Sequence, residues 1–233
     1  MPDFATFDRR QYRTVSPRDG YAAWQPTYEG VVEDIMDQSV LERLTSVPWA
    51  QARSVADLGC GTGRTAAWLT GRGATSIDGV DFTPEMLEAA RRRGLHRRLV
   101  VGDVRATTLP TGGYDLVVCS LVDEHLPELG GLYREARRLL CVSGLLVVVG
   151  YHPFFIMASG MPTHFDSGDN EPVAIETHVH LPSEHMTAAN SARLVAVELI
   201  EATIDDEWIG RKPKWAEYRD WPISFGWLWR AMP

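Results

Sequence analysis

The sequence predicts an α/β protein, with a mostly parallel sheet and helices on both of its faces. Two observations carry that class. Short apolar runs at 54–58, 76–80, 98–102, 114–120 and 145–150 are separated by helical patterns at about 63–71, 84–93 and 130–140. A repeating strand–helix order buries its apolar surface when the strands lie parallel and the crossover helices cover the sheet. The second observation is the stretch Val55-Ala56-Asp57-Leu58-Gly59-Cys60-Gly61-Thr62-Gly63-Arg64. An apolar run ends in an acid, three glycines alternate, and a helical pattern begins, which reads as strand, tight turn and helix start.

The remaining elements follow in chain order. Residues 1–29 mix Tyr12, Tyr21, Trp24 and Tyr28 with turn formers such as Ser16-Pro17 and Asp19-Gly20, and read as an irregular segment. From 30 to about 44 the residues Val31, Ile35, Met36, Val40 and Leu41 recur at roughly helical spacing, which predicts an amphipathic helix leading to Pro48. Thr83-Pro84-Glu85 opens the helix after the second strand and Gly94 closes it, while Ser143-Gly144 turns the chain into the fifth. After Gly150 the rhythm breaks. Residues 151–182 hold Pro153, Pro162, Pro172 and Pro182, and only 172–179 looks extended. This segment reads as an insertion over the carboxyl ends of the strands, where open α/β sheets bind ligands. A helix at 183–193 and strands at 194–204 and 223–229 complete the chain. Residues 1–233 are expected to be a single domain, with 1–50 as an N-terminal cap and 151–182 covering the substrate.

Composition narrows the classes. Of 233 residues, 45% are hydrophobic and 23% charged, the balance of a globular chain with a full core. No apolar run reaches the roughly 18 residues of a membrane span, and Met1-Pro2-Asp3-Phe4 lacks a basic-then-apolar leader pattern. The expectation is a cytoplasmic protein without a membrane partner. Cys60, Cys119 and Cys141 show no paired or metal-like spacing, so reduced, buried thiols are expected. A net charge of −8 argues against a broad nucleic-acid surface. The local cluster Arg91, Arg92, Arg93, Arg97 and Arg98 reads as a solvated helix end, where cations favour the dipole.

The glycine turn carries the chemistry. Glycine permits positive φ and lets backbone amides approach a ligand, and the helix start adds unpaired N–H groups. The dinucleotide fingerprint needs Gly or Ala where Arg64 stands. Asp57 at the mouth of the loop would repel a pyrophosphate, yet it suits a ligand bearing an ammonium or sulfonium. Asp81 closes the second strand, 18 residues past Gly63. A carboxylate there can accept both ribose hydroxyls of an adenosine, of NAD as well as of other nucleosides, or can serve the helix start near Thr83.

The run from Asp57 to Gly63 resembles the first motif of class I S-adenosylmethionine-dependent methyltransferases, and the resemblance extends over roughly 50–150. It implies a Rossmann-like, seven-stranded, mostly parallel sheet whose last strand is antiparallel and inserted. It implies S-adenosyl-L-methionine as methyl donor and S-adenosyl-L-homocysteine as product. Asp57, Gly59, Cys60, Gly61 and Gly63 would then wrap the amino-acid end of the cofactor, and Asp81, followed by Phe82, its ribose. Asp103 resembles the acid that accepts from the adenine amino group, Val104 the residue whose amide meets a ring nitrogen, and Ser120 ends the fourth strand beside them. The whole pattern is most similar to stand-alone small-molecule enzymes of the ubiquinone, biotin-pathway and trans-aconitate type.

The acceptor side is written more loosely. The Asn/Asp-Pro-Pro-aromatic signature of enzymes that methylate nucleobase amines is absent after the fourth strand. Asp123-Glu124-His125 lacks a second oxygen-ligand pair after the fifth strand, and His178 and His180 lack cysteine or carboxylate company, so no metal is expected. Six of seven histidines lie between His125 and His185. A hydroxyl acceptor must lose its proton, and imidazole is poised to take it near neutral pH. His125 and His152, just past the fourth and fifth strands, are the candidate bases. A carboxylate or free amine acceptor would need only alignment and desolvation. In similar methyltransferases the N-terminal segment folds over cofactor and substrate, which makes Tyr21, Trp24 and Tyr28 candidate substrate contacts, unless they simply plug the sheet. Tyr151, Phe154, Phe155, Phe165, Trp208 and Trp215 are candidates for the pocket wall, with His164 nearby, while Trp227 and Trp229 alternate on a strand as core. Lys212 and Lys214, beside Arg211, would clamp an acidic substrate or lie in a solvated loop. The expected activity is O-methylation of a hydroxyl or carboxylate on a small organic molecule by a monomer or homodimer. N- or C-methylation, a macromolecular substrate, a non-catalytic cofactor-binding module and an NAD-dependent oxidoreductase are the competing readings.

Overall fold

The computed structural model describes residues 2–32, 34–169 and 171–233. In chain order the strands are β1 (Arg13–Val15), β2 (Ser54–Leu58), β3 (Ser76–Asp81), β4 (Arg98–Val101), β5 (Tyr114–Ser120), β6 (Leu140–Tyr151), β7 (His164–Asp166), β8 (Pro172–Ile175), β9 (Leu194–Thr203) and β10 (Pro222–Ala231). The α-helices are α1 (Pro17–Val31), α2 (Gln38–Arg43), α3 (Arg64–Gly71), α4 (Pro84–Arg93), α5 (Gly130–Leu139), α6 (Pro153–Ser159), α7 (Pro182–Ser191) and α8 (Asp206–Arg211). A seven-stranded sheet runs β4-β3-β2-β5-β6-β10-β9, and a three-stranded one runs β1-β8-β7. Pairings from β4 to β6 are parallel, and β10 is antiparallel to both β6 and β9. The Rossmann-like sheet with its inserted last strand is therefore present as expected.

Alternation of side chains along each strand divides the core between the two faces. On one face Val117, Cys119, Leu146, Val148, Trp227 and Trp229 pack with Tyr133 of α5 and Ala189 of α7. On the other, Leu116, Val118, Val147 and Val149 pack with Val40 and Leu41 of α2 and Trp68 and Leu69 of α3. Strands buried on both faces read as continuous apolar runs, which is why the sequence pattern was legible there.

Three expectations need correction. Residues 17–31 are helix rather than irregular segment: Ser16 Oγ accepts from the Asp19 amide, Pro17 occupies the first turn, and Asp19 adds its negative charge there. Ser16-Pro17 is thus a helix start, not a loop. The single helix at 30–44 is instead the end of α1, a 3-10 turn at Asp34–Met36, and the short α2. Arg64 draws Asp34 and Asp37 together at 2.6 and 3.2 Å, and Asp37 caps the Gln38 amide at 2.9 Å, so these acids bend the chain around one guanidinium. Glu33 lies outside the described residues. The insertion after the fifth strand carries more order than expected, with α6, β7 and a β8 that stops at Ile175. Phe165, Val173 and Ile175 pack against Val15, Tyr21 and Trp24, so cap and insertion form one lid layer.

Candidate active site

The carboxyl ends of β2, β3, β4 and β5 open on a cavity of about 270 Å³ roofed by α1. Its wall includes Gly59, Gly61, Asp81, Phe82, Asp103, Val104 and Ser120 from the sheet side, and Tyr21 and Tyr28 from α1. Chain geometry brings them together. Gly59, Gly61 and Gly63 have φ of 73°, 51° and 84°, in the left-handed region that favours glycine. A Cβ on Gly59 would lie 2.3 Å from Val122 Cγ2. The loop is pinned by its own backbone, since the Gly59 and Cys60 amides donate to the Val80 carbonyl at 2.8 and 3.0 Å.

Asp81 serves the helix start near Thr83 and also braces the glycine loop. Its Oδ2 accepts from the Gly61 amide at 2.9 Å and its Oδ1 from the Thr83 amide at 2.8 Å. Burial pushes its carboxyl above the usual carboxylate range, against the pull of those two bonds. A carboxylate offers about four lone-pair positions, more than these two amides occupy. Asp103 is held by Arg105 through Nε and Nη2 at 3.0 and 2.7 Å, which keeps its carboxyl below the usual carboxylate range. Ser120 Oγ is buried and has no partner. A carboxylate at a strand end, a second acid and an orphaned hydroxyl around a glycine-widened space fit an adenosine-bearing cation. Asp57, Cys60 and Gly63 are absent from the cavity wall. Asp57 is 1% exposed, behind the loop, because it points back from β2 into the protein.

Of the three α1 aromatics, Tyr21 and Tyr28 line the cavity and Trp24 does not. Burial pushes the Tyr28 phenol up to about 12. Trp24 turns outward to stack on Phe165, ring centres 5.6 Å apart. Thr62 and Arg93 both reach Glu29, and Arg93 Nε donates to the Thr62 carbonyl at 2.8 Å. These bonds tie the end of α1 to the glycine loop, and Arg93 thereby leaves the solvated arginine cluster.

His125 lines the cavity and His152 does not. His125 Nδ1 lies 2.8 Å from the Glu176 carbonyl and Nε2 lies 2.9 Å from the Tyr21 hydroxyl. A carbonyl only accepts, so Nδ1 carries the hydrogen and Nε2 presents a lone pair, to which Tyr21 donates. His152 caps α6: Nδ1 accepts from the Phe154 amide at 3.1 Å, and Nε2 donates to Glu201 at 2.9 Å. Its backbone amide is bound to the Ile223 carbonyl, so β10 turns it toward β9 and a small void shared with His180 and His185.

Other expected pocket residues lie elsewhere. Tyr151, Phe155, Trp208 and Trp215 form an apolar cluster with Ile204 and Ile223. Phe154 is 44% exposed beside Trp221, and His164 bonds the Pro162 carbonyl at 2.9 Å. Lys212 Nζ meets the Val31 carbonyl at 3.3 Å at the end of α1, and Lys214 is exposed. Among the described residues no group of three His, Cys, Asp or Glu side chains is placed to hold a metal. Arg105, Met86, Leu121 and Val122 line the cavity without having been singled out. Leu121 has φ of 57°, a strained turn that swings Val122 over Gly59 and His125 into the cavity, and its Leu side chain gave no signal of it.

Comparison with known proteins supplies the family context. Residues 56–148 match the family model described as a methyltransferase domain. The chain is 33% identical over 128 residues to trans-aconitate 2-methyltransferase of Methylobacterium radiotolerans, covering 54% of this chain and 49% of that protein. It is 34% identical over 134 residues to malonyl-[acyl-carrier protein] O-methyltransferase of Legionella pneumophila, covering 54% and 46%. The chain thus spans about half the length of these curated relatives. The crystal structure of an S-adenosylmethionine-dependent methyltransferase from Mesorhizobium loti superposes with a TM-score of 0.61 at 21% identity, covering 91% of this chain and 99% of that one.

Proposed function

We propose that this chain, matched over residues 56–148 by the methyltransferase-domain family model, is a class I S-adenosylmethionine-dependent methyltransferase that methylates a hydroxyl oxygen of a small organic acceptor held beneath α1. When bound, the cofactor supplies a methyl group on a cationic sulfur, which becomes a neutral thioether on transfer. Asp81 would hold the ribose hydroxyls, and Asp103 and Val104 the adenine edge.

The observation that carries the acceptor reading is the lone pair that His125 Nε2 presents in the cavity wall, where it accepts from Tyr21. Its tautomer is set by the Glu176 carbonyl, so the lone pair is aimed at the cavity rather than averaged between two nitrogens. The Tyr21 hydroxyl marks where an acceptor hydroxyl would dock, 2.9 Å away. Tyr21 itself is unsuited to be the base, because burial raises its phenol well above its ordinary value. The acceptor hydroxyl displaces Tyr21, His125 takes its proton as the carbon–oxygen bond forms, and Glu124, 3.7 Å from Nε2, faces the resulting imidazolium.

Charge favours a neutral acceptor over an acid. Among the described residues Arg105 is the one Lys or Arg in the cavity wall, and its guanidinium is engaged by Asp103. The acids in the names of the two relatives, aconitate and malonyl, keep carboxylates on the panel of acceptors to be tried.

The test supplies methyl-labelled S-adenosylmethionine with panels of hydroxylated and carboxylated small molecules, using the parent protein and His125→Gln. We expect methylation of a hydroxyl compound that falls about 10²–10⁴-fold in the variant, with S-adenosylhomocysteine affinity retained. Equal turnover by the two proteins refutes the base, and methylation confined to carboxylates refutes the acceptor class.

A further inference from the structure

His96 is the histidine that stands apart in the sequence, and its side chain is fully buried beneath the glycine loop. Neither ring nitrogen has a hydrogen-bond partner, and Oδ2 of Asp57, equally buried, has none either. The two meet with Nε2 at 3.7 Å from Oδ2. The slot for the ring is built by glycines on two elements. A Cβ on Gly63 would come within 3.1 Å of His96 Cε1, and one on Gly79 within 2.8 Å of Cδ2. Gly79 sits inside β3, where glycine weakens a strand and marks a close approach by other atoms; the ring is among those atoms, with Cys60 Sγ and a Leu99 methyl. A buried imidazole with both nitrogens unsatisfied is costly, and the Asp57 carboxylate is the group in reach.

We infer that His96 is a positioning residue that sets the negative charge under the loop, so that a proton on the His96–Asp57 pair lowers the chain's preference for S-adenosylmethionine over S-adenosylhomocysteine. The logic is electrostatic. With its ammonium, carboxylate and sulfonium, S-adenosylmethionine carries one net positive charge, and S-adenosylhomocysteine carries none. With His96 neutral, the ring lies 3.7 Å from Oδ2 without neutralising it, and the carboxylate charge is left to act on the cofactor. With His96 protonated, that charge is neutralised at its source, and the cation loses more than the neutral product does.

The other groups facing the pair are accounted for. Asp81 at the end of β3 adds like charge to Asp57. The Cys60 and Cys119 thiols are pushed well up by burial and by the acids around them, so they stay neutral. Arg93, whose Cδ also borders Gly63, is committed to Glu29 and the Thr62 carbonyl. Arg97 is committed to Asp78. Imidazole is the side chain whose unperturbed charge change falls between about pH 5 and 8, and His96 is the imidazole facing Asp57. Linkage is reciprocal: if the proton weakens cofactor binding, cofactor binding must expel the proton.

The experiment is calorimetric titration of the full chain with S-adenosylmethionine and with S-adenosylhomocysteine, at steps across about pH 5.5 to 8.5. Each titration is repeated in buffers of different ionisation enthalpy. The affinity ratio of methionine to homocysteine form is expected to rise about five- to tenfold with pH, with proton release on binding of the cation. His96→Gln flattens the ratio and abolishes the release. Should that variant fold poorly, Asp57→Asn keeps the ring, weakens the cation more than the neutral ligand, and also removes the slope. Tight binding with a flat ratio in the parent, or an undiminished slope in either variant, overturns this inference alone. Failure of both ligands to bind at every pH overturns it together with the cofactor assignment.

Discussion

Replacing Glu124 with Gln removes an ionisable group from a place where its charge has little to balance it. Glu124 is 3% exposed, with Thr163 Oγ1 at 3.4 Å and His125 at 3.7 Å, and Asp123 beside it. Burial, reinforced by the neighbouring Asp123, pushes its carboxyl up to about 7, and burial lifts Asp123 to about 6. A folded value above the unfolded one, about 4.3 for Glu, means that the folded protein holds the proton more tightly. The stabilisation is therefore complete below about pH 4.3 and is lost as pH rises through about 7. A rise of between two and three units at about 1.4 kcal/mol each makes roughly 3 kcal/mol that disappears over this window. Gln keeps the shape and cannot ionise, so the contribution of Glu124 to the slope vanishes. Urea unfolding of both proteins at steps from about pH 5 to 8 measures it. The variant should gain on the parent by on the order of 2–3 kcal/mol from the acid to the alkaline end, at unchanged m-value. Parallel stability curves would show that Glu124 is already ionised in the folded protein and refute the reasoning.

Two further perturbations test the site itself. Asp81→Ala strands the ribose hydroxyls and the Gly61 amide together, and should weaken S-adenosylhomocysteine binding about tenfold or more in calorimetry; unchanged affinity would remove Asp81 from the site. Gly59→Ala forces a side chain into φ of 73° and within 2.3 Å of Val122 Cγ2. It should cost about 2–4 kcal/mol in denaturant unfolding, and a change below about 1 kcal/mol would show that Val122 yields freely.

How much of the site was legible depended on whether a residue's role is local. The Asp57–Gly63 turn, Asp81 and Asp103 were readable because strand, turn and helix start are written in neighbouring residues. Asp81 and Asp103, at the ends of adjacent parallel strands, then meet at one edge by topology alone. The cavity contains both, with Gly59, Gly61, Phe82, Val104 and Ser120. His125 and His152 looked equivalent in sequence, each just past a strand. The Leu121 turn aims one into the cavity, while the bond from the His152 amide to the Ile223 carbonyl aims the other away. That choice belongs to β10, which is about seventy residues downstream of His152.

By itself the sequence determined the α/β rhythm, the left-handed glycine turn and the acids at the strand ends, because periodicity and φ preferences act between near neighbours. Only the tertiary structure decided that Ser16-Pro17 starts a roofing helix, that Trp208 is core with Trp215 packed against it, and that His96 meets Asp57 beneath Gly63 and Gly79. Those outcomes rest on packing between segments far apart in the chain, where burial and the pairing of polar groups outweigh local preference.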